Sequence, residues 1–149
     1  MPKKFSFPLE NILKYRRKLQ DNKMLKLHQT KMELQAEQEK LTDIKAFKEG
    51  LLNNGRLETP QKLDLVNRKI YNEFVGQVND SINKQNRAVN VSKRKVIKAT
   101  EELDEETKRK KILEKLKERH LEKFKVDQRR KEEKDNSEVA LRKSYFGDR

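Results

Sequence analysis

Leu13, Leu27, Leu34 and Leu41 share one position of a seven-residue repeat, and Leu9, Ile44 and Leu51 fall on the neighbouring apolar position. Apolar residues that recur every 3.5 residues form a stripe that stays on one side of an α-helix only when that helix winds against another. A chain of this kind must therefore find a helical partner. The stripe is diluted, because Arg16, Gln20, Lys23, Thr30, Glu37 and Lys48 lie on it too. A second stripe of Ile82, Val89, Val96 and Leu103 repeats every seven residues, and Leu113, Leu116, Leu121 and Phe124 continue it with a local shift of register.

Composition leaves few other folds open. Of 149 residues, 42% are charged and 32% hydrophobic, too few apolar side chains for a layered globular core. Four Gly and three Pro are too few to turn a sandwich, a barrel or a βαβ array. The fold class is all-α, a long antiparallel two-helix coiled-coil hairpin with a short helical segment at the loop end, in one domain over residues 1–149.

Local signals set the expected boundaries. Pro8 suits the first helical position and Glu10 complements the helix dipole, so a helix is expected over about 9–52. Gly50, Asn53, Asn54 and Gly55, followed by Thr59 as N-cap and Pro60 at N1, read as a loop at 53–59. A short helix is expected over about 60–78, with Leu63, Val66, Ile70, Tyr71, Phe74, Val75 and Val78 as its apolar face. The stretch from Gly76 to Asn86 collects weak helix formers and predicts a kink or break, after which the long helix runs over about 82–142. A helix from Leu9 to Leu52 spans roughly 65 Å, and one from Pro60 to Arg142 nearly twice that, so a separate helix at the tip lets the two long ones pair.

This pairing gathers Phe5, Phe7, Tyr15, Phe124, Tyr145 and Phe146 at the terminal end, with Phe5 and Phe7 opposite Tyr145 and Phe146, and Phe47, Tyr71 and Phe74 at the loop end. The rings either staple the ends of the helices or serve as docking sites, since large rings with few local partners favour interfaces.

No chemistry of catalysis is spelled out. The Gly50 to Gly55 spacing imitates a phosphate loop but lacks its Lys and Ser/Thr. His28 and His120 stand alone, without a second His or paired carboxylates, so no catalytic residue, metal ligand or cofactor is indicated and a non-enzymatic role is expected. The absence of Cys excludes a disulfide scaffold. No secretory signal or membrane-spanning run is evident, and a cytoplasmic protein is expected.

The net charge of +13 raises nucleic acid as a partner, but acids interleave with bases. Asp104, Glu105 and Glu106 precede Lys108, Arg109 and Lys110 by four residues, the favourable order for helical ion pairs. No ring lies in or beside Lys93-Arg94-Lys95 or Lys108-Arg109-Lys110-Lys111 to stack on bases, so no nucleic acid is expected. A basic coiled-coil nucleic-acid binder and a homodimeric coiled-coil scaffold are the alternative readings.

The stretches "FSFPLENILKYRRKLQD" and "LEKLKERHLEKFKVDQRRKEEKDNSEVALRK", separated by the expected hairpin, resemble the FliJ family of flagellar type III export proteins over essentially the whole chain. Phe7, Leu9, Leu13, Arg16 and Arg17 carry the N-terminal mark, and Asn136 to Ala140 match the C-terminal one only in part. The resemblance implies a coiled-coil stalk with its terminal end, including those five residues, in the hexameric export ATPase FliI. It also implies contacts with the ATPase regulator FliH, with export chaperones, and with the export gate protein FlhA near the loop end. By position relative to the turn, the gate-binding residues would be Ile44, Phe47, Leu51, Phe74, Val78, Ser81 and Gln85, with Ser81 and Gln85 the weaker matches. Such a protein would sit at the cytoplasmic face of the cell membrane only indirectly, through the export apparatus.

Overall fold

The computed structural model describes residues 3–57 and 65–147 of the chain. Among them there are two elements, α1 (Glu10–Leu57) and α2 (Leu65–Gly147), which pack as a helical hairpin without strands. Pro8 and Leu9 form a turn in which the Glu10 N–H donates to the Phe7 carbonyl at 3.1 Å, and α1 follows with Glu10 in its first turn.

The buried and half-buried positions of α1 and the turn before it are Leu9, Leu13, Arg16, Gln20, Lys23, Leu27, Thr30, Leu34, Glu37, Leu41, Ile44, Lys48 and Leu51, with few others. The spacing alternates four and three throughout, which is the seam read from the sequence, its polar members included. On α2 the same alternation runs from Tyr71 through Val75, Val78, Ile82, Gln85, Val89, Ser92, Val96, Ala99, Leu103, Glu106, Lys110 and Leu113 to Lys117. It then slips by one residue to Leu121, Phe124 and Gln128, the expected shift of register.

The contacts divide the chain into two compact units. In the unit of residues 22–104, Lys23 reaches Glu102, Glu37 meets Gln85, and Phe47 meets Phe74, so the helices run antiparallel. This register places Leu27, Leu34 and Leu41 level with Val96, Val89 and Ile82 in one row, and Thr30 and Glu37 level with Ser92 and Gln85 in the other. The first row removes apolar surface from water at roughly 25 cal/mol per Å2. The second satisfies itself: the Gln85 amide donates to the Glu37 carbonyl at 2.9 Å and to its carboxylate, and the buried Thr30 hydroxyl donates back to the Leu27 carbonyl at 2.9 Å.

In the unit of residues 1–21 and 105–149, the segment before α1 lies against α2, with Phe7 and Leu13 as its buried apolar residues. Beyond Gln128 every described residue of α2 is exposed.

Three boundaries differ from expectation. Helix α1 continues to Leu57 through Gly50, Asn53, Asn54 and Gly55, so the expected loop at 53–59 is helical to that point. Gly50 keeps a negative φ and would meet nothing with a Cβ, so it serves neither turn nor close contact. A helix already propagating through forty residues rich in good formers, with Leu51 and Leu52 half-buried, carries its cost of about 1 kcal/mol. The remainder of that loop, Leu63, and the expected cap at Thr59-Pro60, lie outside the described residues.

The break between Gly76 and Asn86 is also absent. From Leu65 the expected short helix is the first part of α2, which continues without interruption past Ile82 and Arg142 to Gly147. Weak propensities there are outweighed by Tyr71, Val75, Val78, Ile82, Gln85 and Val89, which hold the four-three seam against α1.

The terminal rings differ too. Phe5 pairs with Phe124 at 5.6 Å between centroids, and Phe7 sits edge-on to His120 at 5.5 Å. Tyr145 and Phe146 touch only each other among these rings and are 83% and 74% exposed. Phe5 and Phe7 choose the nearer rings because the heptad register of α2 brings residues 120 and 124, not 145 and 146, level with the chain before Glu10.

Candidate functional site

At the end of α1 in the unit of residues 22–104, Ile44 occupies a seam position and Phe47 lies three residues further on. On α2, Phe74, Val78 and Ser81 follow at spacings of four and three, so they share one face. The two faces enclose an open groove of about 480 Å3. Val78 is buried at its floor and Ile44 half-buried beside it, while Phe47 and Phe74 form the wall.

The two rings stand edge to face, 6.2 Å apart at 79°. Such a pair stabilises by about 0.5–1.5 kcal/mol beyond its buried area. It leaves Phe47 55% and Phe74 41% exposed, so each ring keeps a free face. Val66 and Ile70, at spacings of four before Phe74, are 64% and 59% exposed and extend the apolar stripe. Both belong to the apolar face expected from the sequence.

Five of the seven residues assigned to this end, Ile44, Phe47, Phe74, Val78 and Ser81, therefore line one groove. Leu51 and Gln85 do not. The Leu51 carbonyl accepts from the Tyr71 hydroxyl at 3.4 Å, and Gln85 is committed to Glu37. Asp43 and Gln77 complete the lining and were not singled out from the sequence. Counting four back from Phe47 and three on from Phe74 finds both, because helical neighbours at those spacings share a face.

The residues assigned to the terminal end are engaged within their own unit. Phe7 is 5% and Leu13 0% exposed, so neither offers a surface, and Leu9 is half-buried. Arg16 reaches the buried Glu106 at 3.4 Å, and Glu106 also takes Arg109 at 3.0 Å. Arg17 lies 3.9 Å from Glu114. The apolar residues presented here by α1 are Ile12 and Tyr15, 47% and 58% exposed, of which the sequence flagged only Tyr15. Ile12 is detectable as the neighbour of buried Leu13, turned about 100° away on the helix.

Two carboxylates are tuned by this pairing. The Lys117 ammonium, 2.9 Å from Glu10, holds the Glu10 carboxyl below its ordinary range against a partial loss of solvation, with Lys14 and Arg17 adding to the effect. Lys23 at 3.0 Å does the same for Glu102, with Lys26 at 3.5 Å in support. Both shifts arise from opposite charge, and neither marks a proton-transfer group. Among the described residues no three His, Cys, Asp or Glu side chains converge as metal ligands, and no helix is long and apolar enough to cross a membrane.

Residues 5–146 match the family described as "Flagellar FliJ protein". A comparison with curated proteins returns no match. Among solved structures, the hairpin is similar to a putative YscO homolog from Chlamydia trachomatis, with a TM-score of 0.54 and 18% identity over 97% of this chain and 98% of that one. At that identity the likeness concerns the fold.

Proposed function

As the chain belongs to the FliJ family of flagellar proteins, we propose that it is a non-enzymatic helical stalk of the flagellar type III export apparatus. In this reading its terminal end docks in the export ATPase FliI and its loop end binds the export gate FlhA. The regulator FliH and export chaperones are further partners, and membrane association is peripheral and indirect. The likeness to a putative YscO homolog supports the same assignment at the level of the fold.

The observation that carries the reading is the groove at Ile44, Phe47, Phe74 and Val78. Solvent-facing rings over a buried aliphatic floor are the surface an interface anchors on. In the unit of residues 1–21 and 105–149, Phe7, Leu13 and the Arg16–Glu106 pair hold the two helices together, and in this reading the exposed Ile12 and Tyr15 of α1 meet the ATPase.

Phe47→Ala with Phe74→Ala tests the gate contact. Binding to the cytoplasmic domain of the cognate gate protein is expected to weaken at least tenfold while helicity is kept and the melting midpoint falls by only a few degrees. A collapse of melting, or unchanged gate binding, contradicts the assignment of that groove.

A further inference from the structure

Between Asp80 and Glu101 the chain carries Lys84, Arg87, Lys93, Arg94, Lys95 and Lys98 and no acid. All six bases are exposed, and none forms an ion pair among the described residues. Elsewhere in the same unit Lys23 and Lys26 converge on Glu102 and Lys40 on Glu37, and the other described bases that stand unpaired, such as Lys31 and Lys45, have acids within four residues along the chain. The block is thus a run of positive charge that the fold leaves uncompensated.

Its geometry is one-sided. The seam of this stretch faces α1, and Lys84, Arg87, Val91, Arg94 and Lys98 follow at i, i+3, i+7, i+10 and i+14 on the outer side. They form one stripe about 21 Å long at 1.5 Å per residue. Val91, in its middle, is 48% exposed.

We infer that this stripe of α2 is a docking surface for an acidic helical segment of another protein. A partner helix with carboxylates at the same spacing meets all four cations in one register and covers Val91 and the aliphatic stems of the Lys and Arg side chains. A nucleic acid fits less well, because no Phe, Tyr or Trp lies between Phe74 and Phe124 to stack on a base. A bilayer needs an apolar face to bury, and the apolar face of this stretch is already used in the seam. The inference concerns neither the groove nor the terminal end, and stands apart from the reading above.

The test uses the full chain and a labelled, alanine-based helical peptide with glutamates at i, i+3, i+10 and i+14 and a leucine at i+7, followed by fluorescence anisotropy at about 0.05 and 0.15 M salt. The variant Lys84→Gln, Arg87→Gln, Arg94→Gln, Lys98→Gln is expected to bind at least tenfold more weakly. The variant Arg129→Gln, Arg130→Gln, Lys131→Gln, Lys134→Gln, equal in charge and also exposed, is expected to lose less than threefold. Should the first variant melt early, the smaller change Arg87→Gln, Arg94→Gln is expected to lose at least threefold. Equal losses from the two fourfold variants would overturn the proposal. So would tighter binding, dependent on the same stripe, to a 20-base-pair duplex or to phosphatidylglycerol vesicles.

Discussion

Leu13 has no solvent exposure, although its heptad neighbours Arg16 and Gln20 are polar. Truncating it removes apolar contacts and opens a cavity that two helices cannot fully close. Leu13→Ala is expected to cost about 2–4 kcal/mol in urea unfolding, whereas Leu25→Ala, at an exposed site, should stay within about 0.5 kcal/mol. The carboxylates make a separate prediction. Glu10 and Glu102 are both held below the ordinary glutamate range, so their stabilisation is present above that range and is lost as pH falls through the lowered values. The melting midpoint should therefore be flat from pH 7 to about 5 and fall below about pH 4. Glu10→Gln with Glu102→Gln should lower the plateau and shrink the fall. At this scale the sequence was a reliable guide to seam membership, because period alone decides which side chains face the partner. It was poor for the terminal rings, because whether Phe7 meets His120 or Phe146 depends on the register between distant segments.

Helices α1 and α2 are longer and less interrupted than local propensity implies. Glycine and a run of Asn, Asp and Ser weaken an isolated helix, but in a hairpin each turn is also held by packing across the seam. Gly50 and Gly76 are the residues that expose the difference, since each is helical, has a negative φ and leaves open space where a Cβ would stand. Gly50→Ala and Gly76→Ala should therefore each stabilise by about 0.5–1 kcal/mol, measured by thermal or urea melting. A destabilising Gly76→Ala would show that α2 needs a break there after all. The polar row makes a complementary prediction. Thr30 is 9% exposed and its hydroxyl bonds only back to Leu27, so Thr30→Val should raise stability by about 0.5–1 kcal/mol. Rows of this kind favour one register over its neighbours, because a slip of one heptad sets Glu37 against an unsuited partner.

For the molecule as a whole, the all-helical hairpin was legible because a 3.5-residue repeat in two halves around a Gly/Asn-rich stretch admits little else. The loop-end groove was legible in part. Phe47 and Phe74 stood out as rings in a chain with few of them, but only the register shows that Leu51 lies outside the groove and that Gln85 is bonded to Glu37 instead. The terminal end was the least legible, since conspicuous residues such as Phe7 and Leu13 proved to be its core and inconspicuous Ile12 its surface. The proposed action of this chain on the export ATPase is tested most directly by ATP hydrolysis of the cognate enzyme with and without the full chain at stoichiometric ratio, with co-elution followed in parallel. A stable complex and a changed rate of hydrolysis are expected, both weakened by Ile12→Ala with Tyr15→Ala. An unchanged rate together with no co-elution would contradict it.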